Sequence, residues 1–97
     1  MIYSFHPEAE LEFLQAVDYY EDKEKNLGYD FAFEIYSAIE RILAFPIAWP
    51  VIDENIRRAV VRRFPYGILY SQSGKEIYIL AVMNLNREPN YWKERIQ

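Results

Sequence analysis

The spacing of apolar residues changes three times along the chain, and each change marks an element. Ile2-Tyr3-Ser4-Phe5 is built of strand formers alternating in size and predicts a first strand. His6-Pro7 interrupts it; a proline suits the first turn of a helix, where its missing N–H is not needed. Glu8, Glu10 and Glu12 then favour the positive end of a helix dipole. Ala9, Phe13, Ala16, Val17 and Tyr20 fall on one helical stripe, with Asp18, Glu21, Asp22 and Lys25 opposite. Gly28 reads as the stop signal, and Asn26-Leu27-Gly28 as the turn of an α-hairpin. Its second helix is expected from about Asp30, with Phe31, Ile35, Ala38, Ile39, Ile42 and Phe45 on one face, ending at Pro46.

Ile47 to Asn55 has no periodicity and contains Pro50, so it reads as a loop. The period then becomes two. Arg57 to Phe64, Gly67 to Gln72 and Glu76 to Asn84 predict three strands, separated by Pro65 and by Ser73-Gly74-Lys75. The nearly continuous apolar run Ile77 to Val82 predicts a central strand covered on both faces. Arg87 to Arg95 has room for a short terminal helix after Pro89. Strands joined by short turns are antiparallel, and neither helix can bury its stripe except against the sheet. The expectation is a single α+β domain over residues 1–97: an N-terminal strand, an α-hairpin and a three-stranded antiparallel meander, in one sheet with the helices on one face.

Composition narrows the chemistry. The 97 residues are 52% hydrophobic and 18% aromatic, so large rings must fill much of a small core. There are no cysteines, which excludes disulfides, thiolate metal sites and cysteine nucleophiles, and makes a reducing cytoplasm the expected setting. No apolar run is long enough for a membrane span, and Met1 to Phe5 carries no leader pattern. The net charge of −4 conceals an asymmetry. Met1 to Asn55 holds twelve acidic residues against three basic, a net of −9, whereas Ile56 to Gln97 holds three against eight, a net of +5. The C-terminal half can therefore present a basic surface despite the acidic total.

An ordered set of short pieces now stands out: Tyr19-Tyr20-Glu21; Leu27-Gly28-x-x-Phe31 with Glu34; Arg62-Arg63-Phe64-Pro65-Tyr66 leading into Ile68-x-Tyr70; and Ala81-Val82 leading to Asn86-Arg87-x-Pro89 and Tyr91-Trp92. In this order and spacing, from about Phe5 to Trp92, the chain resembles the RelE/ParE toxin superfamily, the plasmid stabilisation proteins. The resemblance implies the toxin of a type II toxin–antitoxin system, a growth inhibitor neutralised by a cognate antitoxin. RelE-like members cut messenger RNA on the ribosome, and ParE-like members poison DNA gyrase.

Metal-free RNA cleavage needs a base, cations for the developing phosphorane charge and an acid for the leaving oxygen. The resemblance places the family's active arginine at Gly67 and its catalytic lysines near Arg58 and Val60. Glycine and valine offer no cation, and a guanidinium does not deprotonate. Under an endoribonuclease reading only, Arg58, Arg63, Arg87 and Tyr91 would supply the cations and the acid. The expectation therefore leans to ParE-like action by binding, with a RelE-like endoribonuclease and a non-toxic interaction module as alternatives. Arg57, Arg62, Arg63, Arg87, Tyr91 and Trp92 are the expected partner-binding residues, with two of the strand arginines pairing with helix acids such as Glu34 or Glu40. No metal or cofactor is expected. His6 is assigned to capping or packing, and Glu8, Glu12, Asp18 and Glu21 to a solvated helix face.

Overall fold

The computed structural model describes residues 1–96. It contains β1 (Ile2–Phe5), α1 (Pro7–Lys23), α2 (Leu27–Ala44), β2 (Val51–Asp53), β3 (Ile56–Val60), β4 (Tyr66–Ser73), β5 (Glu76–Asn84) and a C-terminal 3₁₀ helix (Tyr91–Ile96). The strands form one mixed sheet in the order β1-β5-β4-β3-β2. β1 runs parallel to β5, with Tyr3 opposite Ile77 and Phe5 opposite Ile79; every other pair is antiparallel. The α+β arrangement expected from the sequence is present, with one more strand.

That extra strand, β2, lies in the segment expected to be a loop. Val51-Ile52-Asp53 is too short to display a period, yet it pairs with β3 around a register shift between Val51 and Asp53. The hairpin turn differs as well. Gly28 does not stop α1 but sits inside α2, and Asn26 takes the left-handed conformation at φ 71°. Glu21 completes the corner, its carboxylate accepting from the backbone N–H groups of Asn26 and Gly28 at 3.0 Å each. A Cβ at position 28 would lie 2.8 Å from the Val17 carbonyl oxygen, so glycine is there for the close approach of the two helices. At the start of α1, the His6 ring nitrogen Nδ1 accepts from the Glu8 N–H at 3.0 Å, an N-cap ahead of Pro7.

The helix-facing core joins Ala9, Phe13 and Ala16 of α1 and Phe31, Ile35, Ala38, Ile39 and Ile42 of α2 to Ala59, Ile68, Tyr70, Ile77, Ile79 and Val82 of the sheet. Phe31, Phe64, Tyr20 and Tyr66 form an aromatic cluster within it, ring centroids 4.8 to 6.2 Å apart. The other face carries a second, smaller core of Ile56, Leu69, Leu80, Ala81, Met83 and Trp92. Trp92 of the terminal 3₁₀ helix covers it, so β5 is indeed buried on both sides.

A bulge explains the unbroken apolar run in β5. Leu69 pairs with Ala81 and Tyr70 with Ile79, leaving Leu80 without a partner in β4. The extra residue reverses the alternation: Ile77 and Ile79 face the helices before it, and Val82 faces them after it.

Candidate functional site

The expectation for Glu12 is overturned. Its position, three residues after Ala9 and four before Ala16, puts it beside the buried stripe, and its side chain is only 12% exposed. β1 ends at Phe5, so beyond Ile79 the outer edge of β5 has no strand beside it. Glu12 fills the gap: Oε1 accepts from the Val82 N–H at 3.0 Å. Buried carboxylates persist only with hydrogen-bonded partners, and Arg95 and Tyr91 of the C-terminal segment supply them, with Arg87 as an ion-pair neighbour. Arg95 grips the carboxylate with both terminal nitrogens, each at 2.9 Å, and also donates to the Leu80 carbonyl at 3.1 Å. The Tyr91 hydroxyl donates to Oε2 at 2.6 Å, and Arg87 approaches the same oxygen at 3.6 Å. The guanidinium of Arg87 lies over the Tyr91 ring, 3.8 Å from its centroid.

This cluster occupies the place where α1, the bulge of β5 and the 3₁₀ helix meet. Burial, reinforced by the hydrogen bond to Glu12, pushes the Tyr91 hydroxyl well above the ordinary tyrosine range. A phenol so held is a poor proton donor to a leaving group, because its proton is already shared with a carboxylate. Arg87 is about half exposed and keeps one side open to an anionic partner.

The other expected residues are dispersed. Arg57 points to the helix-facing side and donates from one nitrogen to the carbonyls of Trp49 and, at 3.2 Å, Ile47, pinning the connection that follows α2. Arg58 lies on the opposite face; its stem packs against Gly67, and its Nε is buried without a hydrogen bond among the described residues. A Cβ at Gly67 would meet Arg58 and Leu85 at 3.2 to 3.3 Å, so this glycine makes room for packing. Arg62 and Arg63 do not continue the strand, because β3 ends at Val60 and Arg63 turns the chain at φ 72°. Their expected alternation is therefore absent. Arg62 is exposed, and Arg63 pairs with Asp30 of α2 at 3.5 Å rather than with Glu34 or Glu40. Trp92, expected to meet a partner, is 2% exposed and belongs to the second core.

Of the expected set, then, the fold brings together only Arg87 and Tyr91, and joins them through Glu12 and Arg95, neither of which was singled out as a site residue. Among the described residues, no group of three or more His, Asp or Glu is placed to hold a metal ion, and no helix is long and apolar enough to cross a membrane.

No family model matches the chain, and no curated protein matches it in sequence. Among solved structures, the fold is similar to a chain of the structure described as "Chromosomal ParDE TA system from P. aeruginosa". The TM-score is 0.63 at 16% identity, over 88% of this chain and 96% of that one. At that identity the likeness shows the fold alone, the α+β arrangement expected from the sequence.

Proposed function

We propose that this chain is the toxin of a toxin–antitoxin module, held inactive by a cognate antitoxin, and that it acts in the ParE-like way, by binding a cellular target such as DNA gyrase. The observation that carries the reading is the shared fold with a ParDE chain over nearly the full length of both. The binding mode is supported by the candidate site. The hydroxyl of Tyr91 is committed to Glu12, and Gly67 is a packing position. Facing solvent are the guanidinium groups of Arg62, Arg63 and Arg87, which suit recognition of an acidic partner surface better than proton transfer. Gyrase and ribosome both place the protein in the cytoplasm.

Tightly controlled expression tests the proposal, with plasmid supercoiling and message integrity followed in the same culture. Growth arrest with impaired supercoiling and intact message is expected, relieved by co-expression of the antitoxin from the adjacent reading frame. Message cut on the ribosome, with cutting abolished by Arg87→Ala, would replace the binding mode with RelE-like cleavage. Absence of arrest would leave a non-toxic interaction module.

A further inference from the structure

The outer surface of the helical layer carries aromatic side chains that neither core uses. Tyr29, Phe33 and Tyr36 lie at successive turns of α2 and are 76%, 68% and 47% exposed. Tyr36 leans towards α1, its ring edge-on to that of Phe13 at 5.4 Å. On α1, Leu14 is exposed one turn before Val17, whose carbonyl faces Gly28, so Leu14 borders α2 on this same surface. Single exposed apolar residues are ordinary, but a contiguous stripe of large ones marks an interaction surface.

The rim of the stripe is acidic. Glu40 continues it one turn beyond Tyr36, and Glu10 and Asp18 flank Leu14 one turn to either side; all three are exposed. Among the described residues none of these carboxylates forms an ion pair. Of the hairpin's cations, Lys23 lies over the Tyr19 ring and Arg41 is partly buried.

We propose that this stripe is the docking surface for a cationic amphipathic helix of a partner protein. From Tyr29 to Glu40 it spans about 16 Å, or three helical turns, so apolar side chains at one-turn spacing can seat on Phe33, Tyr36 and Leu14. Flanking lysines or arginines then meet Glu10, Asp18 and Glu40. A second copy of this chain would oppose the same acidic rim to itself, and an anionic lipid surface would be repelled by it. The inference uses only the helical layer and stands whether or not the chain is a toxin.

The test titrates the full chain with a synthetic amphipathic helix carrying leucines on one face and lysines beside them, and with its glutamate counterpart. Calorimetry and amide NMR shifts are the readouts. Expected are salt-sensitive binding of the lysine peptide, shifts centred on residues 29–40 and no binding of the glutamate peptide. Phe33→Ser and the pair Glu10→Lys with Glu40→Lys should each weaken binding about tenfold, a loss of about 1.4 kcal/mol. The pair Glu76→Lys with Glu88→Lys, which changes net charge equally on other elements, should leave it nearly unchanged. Equal loss in that control, indifference to Phe33→Ser, tighter binding of the glutamate peptide, self-association abolished by Phe33→Ser, or adsorption to phosphatidylglycerol vesicles would each overturn the proposal.

Discussion

Replacing Glu12 by glutamine keeps the shape of the side chain and removes its charge. The amide has one acceptor oxygen where the carboxylate has two, and its NH₂ must face donors, either Val82 N–H and one Arg95 nitrogen or Tyr91 and the other. Arg95, whose side chain is 11% exposed, is then left in the interior without its counter-charge. Removing one partner of a buried pair costs about 3–5 kcal/mol, chiefly through the uncompensated charge. A domain of this size is stable by about 5–15 kcal/mol in total, so Glu12→Gln at the lower figure should depress Tm by roughly 12–24 °C. Arg87→Ala offers the contrast within the same cluster. Its ion pair with Glu12 is at 3.6 Å and its side chain is 54% exposed, so solvent screening holds its contribution below about 1 kcal/mol. Urea unfolding followed by tryptophan fluorescence measures both, because Trp92 sits in the second core beside the cluster. A double-mutant cycle with Arg95→Met should return a coupling above about 1 kcal/mol. The reasoning fails if Glu12→Gln lies within 1 kcal/mol of the parent, or if Arg87→Ala costs as much as Arg95→Met.

Three further outcomes follow from other contacts. Gly28→Ala improves helix propensity by about 1 kcal/mol, yet its Cβ meets the Val17 carbonyl at 2.8 Å; a net destabilisation of about 1–3 kcal/mol from overpacking is expected in the same urea assay, and a stabilised variant would refute the close approach. Burial raises the Tyr70 hydroxyl to about 12, against the opposing pull of Arg57, and raises that of Tyr91 further. Their contribution is therefore complete below about pH 10, where unfolded tyrosine titrates, and is lost as pH rises through the folded values. Stability measured from pH 9 to 12 should fall, and should fall less steeply in Tyr70→Phe and Tyr91→Phe. Arg57→Ala removes the donor shared by the Ile47 and Trp49 carbonyls at a cost of about 2 kcal/mol, and hydrogen exchange should quicken across residues 45–50 while β4 stays protected.

The two helices and the three long strands were legible because each repeats a period often enough to be read. β2 was not, since three residues after Pro50 cannot show an alternation and only pairing with β3 defines them. Gly28 reads as a terminator because a glycine near a helix boundary usually is one, whereas here backbone proximity between helices selects it. The site was legible in half. Arg87 and Tyr91 stand out by chemistry and position, but the pattern assigns their partner Glu12 to a solvated face. The signal for Glu12 was present: a carboxylate three residues from Ala9 and four from Ala16 borders the apolar stripe. What the pattern could not reveal is why it borders it, because the vacancy beside β5 arises from the shortness of β1 and the bulge at Leu80, and both are properties of pairing between distant segments.

That vacancy orders events in time. β1 and α1 precede the strand beside which β1 lies, made only at residues 76–79, and the cations that pair with Glu12, Arg87 and Arg95, come later still. Without those segments the Glu12 carboxylate has none of its partners, and the helix-facing core lacks β5. Contacts that close loops this long are slow to form. Pairing of Glu12 therefore closes contacts between segments 70 and 83 residues apart, which the helical hairpin cannot make by itself.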